Sequence, residues 1–198
     1  SISLTCVNNL MRKNGIKPDQ IGRLEVGTET LLDKSKSLKT VLMNLFSRVE
    51  IMHGGSDINK RVLWFNKCAI QFNQLGTVIK LGWQDALVVS SDIAVYPKGS
   101  ARPTGGAGAI AMLVGPDAPV VFDQVRSSYM DHTYDFYKPD PTSEYPTVDG
   151  HQSIEIYLNA LRQCFKTFKQ KFESAHGTIP NYHDFSHFCF HTPFSKMV

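Results

Sequence analysis

Apolar residues recur at helical spacing in three parts of the chain and as short compact runs in several others. Positions three and four residues apart are apolar in residues 2–11, 38–46 and 154–172, which predicts an amphipathic helix in each segment. Gly15 and Pro18 end the first of these helices. Short apolar runs predict strands at residues 21–26, 120–122 and 188–191. Residues 47–85 follow no clean period and predict no element.

The most ordered pattern lies in residues 86–115, where two apolar runs flank a loop rich in Gly, Pro and Ser. This arrangement predicts two buried strands joined through a tight loop. Gly105, Gly106 and Gly108 carry no Cβ, so they permit unusual backbone dihedrals and a close approach of a ligand to the main chain. The simpler alternative is a hairpin turn in a core sheet, and the stretch by itself fits both.

A second stretch of interest is the aromatic segment of residues 129–150, which contains four tyrosines and three prolines in YMDHTYDFYKPDPTSEYPTVDG. Loops of this length without a period of their own are usually functional. We expect this one to be a lid or the wall of a binding site.

Composition and charge exclude several classes of protein. The formal net charge is +3 and the 21 Lys and Arg residues are scattered, with Lys34, Lys36 and Lys39 as the nearest approach to a basic patch, which argues against nucleic-acid binding. No window reaches the roughly 18 apolar residues of a membrane span. The four cysteines have no metal-type spacing and are expected to be reduced. Both ends look truncated, and an intracellular soluble protein is the default expectation.

Two residues stand where strands are predicted to end. Glu29 follows the strand at residues 21–26, a place where α/β folds present ligand-facing groups. The alternative is a helix N-terminal acid that completes a cap with Thr28. His191 follows the run at residues 188–190 and is either catalytic or a structural hydrogen-bonding group.

Six motifs carry a more specific signal: VGTET at 26–30, DIAVY at 92–96, ARPTGG at 101–106, YDFYKPD at 134–140, SEYP at 143–146 and HTP at 191–193. In order and in spacing they closely resemble the hydroxymethylglutaryl-CoA synthases of the eukaryotic type. The resemblance covers residues 1–46 and 86–198. A ketoacyl synthase would also fit the strand, glycine loop and second strand, but it does not explain YDFYKPD or SEYP.

The resemblance implies an incomplete α/β fold of the thiolase-like type, with α-β-α layers, as a fragment of a single N-terminal domain. It implies condensation of acetyl-CoA with acetoacetyl-CoA to hydroxymethylglutaryl-CoA in the mevalonate route to isoprenoids and sterols. The CoA thioesters are substrates, and no cofactor or metal is expected. The family implies a homodimer without nucleic-acid or membrane partners, located in the cytoplasm or, alternatively, in mitochondria.

The motifs also transfer roles to individual residues. Glu29 matches the general acid and base of the family, and His191 matches the histidine that holds acetoacetyl-CoA. Substrate-binding positions of the family match Ser100, Thr104, Ser153 and Lys196, the last as a partner for a CoA phosphate.

The nucleophilic cysteine of the family, in the motif NACYGGT, is absent from the chain. Cys68 is a poor substitute, because the family position falls near Val62 and the glycines behind the nucleophile would be missing. If the codons of residues 60–65 are read one nucleotide later, they permit Asn-Ala-Cys-Tyr-Gly. Residues 80–84 likewise permit the family-like Ser-Trp-Asp-Gly-Arg. We therefore interpret residues 47–85 as out-of-frame translation, from a gene-model error, a sequencing error or a decaying gene copy.

Without this thiol we expect the chain as written to be inactive. The alternative function is a non-catalytic protein that binds CoA thioesters and keeps Glu29, Thr104 and His191 without performing the chemistry.

Overall fold

A computed structural model describes residues 2–30, 33, 35–46 and 85–192. In chain order the helices are α1 (Ile2–Asn14), α2 (Leu38–Leu42) and α3 (Gly150–His176). The strands are β1 (Ile21–Gly27), β2 (Asp85–Ala94), β3 (Gly106–Val114), β4 (Phe136–Tyr137) and β5 (Thr147–Val148). The contacts divide the chain into two compact units, the first made of residues 1–94 and 106–120 and the second of residues 95–105 and 121–198.

The first unit is built on a three-stranded sheet in the order β1-β2-β3, with β2 in the centre. β1 runs parallel to β2, and β3 runs antiparallel to it from Ala86 opposite Val114 to Ala94 opposite Gly106. β2 is buried from Ala86 to Asp92, as its apolar run predicts. The predicted pair of strands is therefore confirmed, but the burial predicted for both holds only for β2, because no residue of β3 is fully buried.

Alternation of side chains along β2 divides the core of this unit between two faces of the sheet. On one face Leu87 and Val89 pack with Val7 of α1 and Leu42 of α2. On the other face Ala86 and Val88 pack with residues of β3. The Ser3 hydroxyl of α1 donates a 2.8 Å hydrogen bond to the Ser91 hydroxyl, which satisfies two buried polar groups on the α1 face.

The helices begin and end where their sequences indicate. Gly15 follows α1 with a φ of 64°, a left-handed conformation that glycine adopts without strain. Ser37 caps α2 by accepting a hydrogen bond from the Thr40 N–H. α2 lasts only five residues and continues as a 3-10 turn at Met43–Leu45.

The second unit contains the hairpin of β4 and β5 and the 27-residue helix α3. Asp149 caps α3 by accepting from the Gln152 N–H at 3.0 Å, and Gly177 ends it with a φ of 73°. The long predicted helix is confirmed. Its phenylalanines were expected to be core residues, but no residue of α3 is fully buried, and its rings contact other aromatic rings at a partly exposed surface.

Two predicted strands are wrong. Residues 120–122 form no strand and are 73%, 83% and 57% exposed, so the short apolar run that predicted a strand is not buried. Residues 188–191 alternate in sequence but pair with no strand in the part of the chain that the structure describes. The rings of Phe188 and Phe190 stack on one another, with centroids 6.0 Å apart.

Candidate functional site

Glu29 lies in a turn, Thr28 to Thr30, directly after the carboxyl end of β1. The Glu29 N–H donates to Oδ1 of Asp92 at 2.9 Å, and the Thr30 hydroxyl donates to the same oxygen at 2.7 Å. The Thr28 hydroxyl accepts from the Thr30 N–H at 3.1 Å. The backbone around Glu29 is thus attached to β2, while its side chain is exposed.

This geometry decides between the two interpretations of Glu29. The Thr28 hydroxyl closes a local turn, and the following helix α2 starts at Leu38 under the cap of Ser37. Glu29 is therefore not the first-turn acid of a helix capped by Thr28. It lies directly after the carboxyl end of β1, and its ligand-facing role stays a prediction.

Asp92 in β2 anchors this turn, a role that the sequence did not predict. Its side chain is 8% exposed near the end of β2, and one of its oxygens accepts hydrogen bonds from the 28–30 turn. The Thr30 hydroxyl in turn accepts from the Ile93 N–H at 2.9 Å. The available signal was a single carboxylate inside an apolar strand, because a buried charge must be compensated by hydrogen bonds.

The glycine loop differs from expectation in its backbone. Gly105 has an ordinary φ of −69°, whereas Gly106 and Gly108 are regular members of β3, opposite Ala94 and Asp92. None of these three glycines adopts a positive φ. The unusual dihedrals predicted for them are therefore wrong, and a Cβ built on Gly106 would meet no atom within 4 Å, so the space there does not depend on glycine.

The predicted substrate contacts of this loop lie in the second unit. Ser100 is exposed in a turn, and the exposed Thr104 ends a 3-10 turn at Arg102–Thr104. The Thr104 hydroxyl donates to the Ala101 carbonyl at 2.6 Å. The hydroxyl hydrogen of Thr104 is therefore engaged within the turn, and the hydroxyl oxygen can still accept a hydrogen bond.

His191 is held by α3. The Tyr157 hydroxyl donates to the His191 carbonyl at 2.8 Å, and the two rings are 6.1 Å apart. Burial of the imidazole lowers the pKa of His191 from its ordinary value of 6.5. The neutral ring is therefore its dominant form at neutral pH, and it can both donate and accept a hydrogen bond.

Ser153 belongs to the same end of α3. Its N–H donates to the Asp149 carbonyl at 2.9 Å in the first turn, and its side chain is half-buried. Ser153 and Tyr157 are four residues apart and so share one face of the helix. The structure thus brings Ser153 and the anchor of His191 together, whereas Glu29 belongs to the first unit.

The predicted substrate-binding residue Lys196 lies outside the described residues, as does Cys68, which was judged a poor substitute for the nucleophile. The remaining thiols, Cys6, Cys164 and Cys189, are free. Within the described ranges no three His, Cys, Asp or Glu side chains are grouped as metal ligands would be. A search of the same ranges finds no helix that is both long and apolar enough to span a bilayer.

Two family models match the chain in succession. The model described as Hydroxymethylglutaryl-coenzyme A synthase N terminal matches residues 1–119, and the one described as Hydroxymethylglutaryl-coenzyme A synthase C terminal matches residues 120–198. The expectation that the whole chain belongs to a single N-terminal domain stays a prediction. The out-of-frame origin of residues 47–85 also stays a prediction, because all of them except Asp85 lie outside the described ranges.

Curated relatives are similar along much of the chain. The hydroxymethylglutaryl-CoA synthase of Saccharomyces cerevisiae is 53% identical over 86% of this chain and 35% of its own length. The synthase erg13B of Aspergillus fumigatus is 48% identical over the full chain and 46% of its own length. The cytoplasmic form of Gallus gallus is 47% identical over the full chain and 39% of its own length. The chain thus spans less than half of these relatives.

Solved structures agree with the sequence relatives. A structure of MvaS in complex with 3-hydroxy-3-methylglutaryl coenzyme A matches with a TM-score of 0.76 and 28% identity, over 98% of this chain and 48% of that one. An HMG-CoA synthase complexed with CoA matches with the same TM-score and 27% identity, over 98% and 49%. The predicted α/β fold of the thiolase-like type is confirmed for this partial chain. The chain belongs to the hydroxymethylglutaryl-CoA synthase family.

Proposed function

We propose that the complete protein to which this chain belongs condenses acetyl-CoA with acetoacetyl-CoA to give hydroxymethylglutaryl-CoA. The observation that carries this proposal is the end-to-end match of the chain to the two family models, with Glu29 at the carboxyl end of a buried strand. A structural neighbour of this chain binds the same product thioester. CoA thioesters are accordingly the substrates, and the reaction needs no additional cofactor.

Glu29 is the general acid and base in this proposal. Removal of a proton from an acetyl methyl group needs a base held in a defined position. The hydrogen bonds from the Glu29 N–H and the Thr30 hydroxyl to Asp92 support such a position. They leave the Glu29 carboxylate exposed.

His191 holds acetoacetyl-CoA. Its lowered pKa favours a neutral ring, which recognises a carbonyl oxygen by donating a hydrogen bond. Four further residues bind the CoA thioesters: Ser100, Thr104, Ser153 and Lys196. The exposed hydroxyls of the first two support this role, as does the position of Ser153 near the anchor of His191.

The nucleophile decides between this activity and a second candidate. The sequence contains no NACYGGT motif, which favours a CoA-thioester-binding protein without turnover for the chain as written. A thiolate is required to accept the acetyl group as a thioester. We propose that this acceptor was lost together with the reading frame of residues 47–85.

Acetyl transfer tests this point directly. The chain as written, incubated with acetyl-CoA and digested for mass spectrometry, should carry no acetyl group on Cys68. Acetylation of Cys68 would show that the chain has its own nucleophile. Nucleotide sequencing across residues 46–86 provides the independent test, and confirmation of the written codons without compensating frame shifts would contradict the out-of-frame origin.

The catalytic role of Glu29 is testable in the protein with the restored frame. Glu29→Gln should lower kcat for condensation by about a hundredfold or more, because general acid–base catalysis contributes about that much. Glu155→Gln on the exposed side of α3 is the matched control and should leave kcat unchanged. Equal rates for the two variants would contradict the role of Glu29.

Assembly and location are proposed from the family as well. We expect the complete protein to form a homodimer in the cytoplasm. Relatives of this chain include a cytoplasmic form from Gallus gallus and a mitochondrial form from Bos taurus. Sedimentation of the complete protein and imaging of a tagged copy check the two statements.

A further inference from the structure

Glu29 lies in the segment that connects the end of β1 to the start of α2. The first turn of α2 lies beside the buried carboxylate of Glu25. Glu25 in β1 has a side chain that is 1% exposed. Its Oε1 accepts a 2.6 Å hydrogen bond from Nε of Arg23. Its Oε2 lies 3.9 Å from Nζ of Lys39 in α2. A carboxylate this deeply buried is stable only if cations or hydrogen bonds compensate its charge.

Lys39 does not behave like a residue of a basic patch. The sequence groups it with Lys34 and Lys36, but its side chain is only 14% exposed and points its ammonium toward Glu25. Long-range screening by salt is weak at such a site, so the attraction between the two groups is stronger than that of a surface pair. The Lys39–Glu25 pair thus joins the first turn of α2 to β1.

Pairing across the sheet places the Glu25 carboxylate on the same face of the sheet as Asp92, the anchor of the Glu29 turn. Glu25 is opposite Val88 in the β1–β2 register, and Asp92 lies four residues further along β2. Side chains two and four residues apart on a strand point to the same face. The segment between β1 and α2 is therefore attached twice, near its start through Asp92 and at its base through Glu25 and Lys39.

We propose that Glu25 and Lys39 are a positioning pair for Glu29. The ion pair closes the base of the segment that runs from residue 28 to residue 37, and a closed short loop has fewer conformations to lose when its tip is ordered. Neither residue contacts substrate in this proposal. The pair acts by keeping the Glu29 N–H on Asp92, and its functional meaning rests on the proposed role of Glu29.

Amide hydrogen exchange of the complete protein tests the proposal. In Lys39→Met, exchange of the Glu29 and Thr30 amides should rise at least about tenfold, because the buried Glu25 carboxylate then keeps Arg23 but loses Lys39, and this partial loss of charge compensation destabilises the contacts around it. Exchange in β2, from Leu87 to Val89, should stay unchanged. Lys39→Arg keeps the cation and should restore exchange to within about twofold of the parent.

Lys36→Met is the matched control, since Lys36 is an exposed lysine of the same segment. It should leave the exchange of the Glu29 amide unchanged. Unchanged exchange at Glu29 in Lys39→Met would overturn the proposal, and so would an equal rise throughout β2, which would indicate a general loss of stability. Failure of Lys39→Arg to restore protection would also contradict it.

This readout separates the positioning pair from the proposed function. Hydrogen exchange does not depend on turnover, so the pair can be confirmed even if Glu29→Gln leaves condensation unaffected. In the protein with the restored frame, Lys39→Met should lower kcat more than it raises KM, because the acid and base would be misplaced while the thioester still binds. An effect on KM alone would contradict the positioning role.

Discussion

The carboxylate of Asp92 compensates its burial by accepting hydrogen bonds from the Glu29 N–H and the Thr30 hydroxyl. Both bonds cross from the end of one strand to its neighbour, so a single side chain determines where the turn after β1 lies. Hydrogen bonds to a charged acceptor are about twice as strong as those between neutral groups. At the residue scale, Asp92 is thus the contact that orders the candidate acid and base.

Asp92→Asn should lower the free energy of unfolding by about 1–3 kcal/mol, because the amide loses the negative charge that both donors face. Denaturant unfolding measures this change. Asp123→Asn is the control: Asp123 is exposed and accepts from the Val125 N–H, so its replacement should change stability by less than about 0.5 kcal/mol. An equal loss of unfolding free energy in both variants would mean that the hydrogen bonds to Asp92 do not stabilise the fold.

His191 makes the stability of the folded protein depend on pH. Burial lowers the pKa of His191 in the folded protein below its ordinary value of 6.5, so below pH 6.5 the unfolded chain binds a proton that the folded protein does not. This contribution destabilises the fold progressively as the pH falls from 6.5 toward the lower folded-state pKa, and it is absent above 6.5.

His191→Gln should therefore flatten the decline of unfolding free energy between pH 7 and the acid side of pH 6.5. Denaturant titrations at a series of pH values measure the slope. His183→Gln, at an exposed histidine of the same unit, should leave the slope unchanged. A titration of the His191 ring above pH 6.5, followed by NMR, would contradict the lowered pKa.

Among the elements, α3 has a glycine at each end. The two glycines have similar open space around them but different backbone φ angles. Gly150 begins the helix and Gly177 follows its last turn, and no atom lies within 4 Å of a Cβ built on either. Gly177 has a φ of 73°, whereas Gly150 is not among the residues with positive φ. Substitution at these two positions separates backbone conformation from packing.

Gly177→Ala should destabilise the protein by about 1 kcal/mol, because a Cβ is strained in the left-handed region. Gly150→Ala should instead stabilise it by about 0.5 kcal/mol, since alanine loses less conformational freedom in a helix. Thermal unfolding of both variants measures the two effects. The same sign for both would show that contacts, and not backbone conformation, control this helix.

For the whole molecule, burial is uneven between the two units. Apart from Pro146 and Pro180, the buried apolar residues of the described ranges belong to the sheet of the first unit and to the helical segments packed on it, whereas α3 contains no fully buried residue. β2 is also hydrogen-bonded to a strand on each side. Amides with few routes to solvent open only through large fluctuations.

Amide exchange along the chain should therefore be slowest in β2 and at least about tenfold faster in the middle of α3. Mass spectrometry of peptides from the two elements measures this difference. The same measurement should be made on the chain as written and on the complete protein. A difference between the two would show how much of the amide protection comes from residues outside this chain. Slower exchange in α3 than in β2 of the chain as written would contradict the prediction.

The sequence by itself determined the elements with strong local signals. Apolar periodicity over many residues located α1 and α3, uninterrupted apolar runs located β2 and β3, and Gly15 located the end of α1. The motifs from VGTET to HTP indicated the family, since they require no knowledge of distant contacts. The nearby capping pattern at Thr28 left Glu29 ambiguous, because a cap and a strand end share the same residue types.

Only the tertiary structure decided what depends on partners far away in sequence. It placed Asp92 beside the Glu29 turn and Lys39 beside Glu25, and within the described part of the chain it gave residues 120–122 and 188–191 no strand pairing. A strand exists only if another strand accepts its hydrogen bonds, and a buried charge persists only beside its compensation. Neither condition can be read from local sequence.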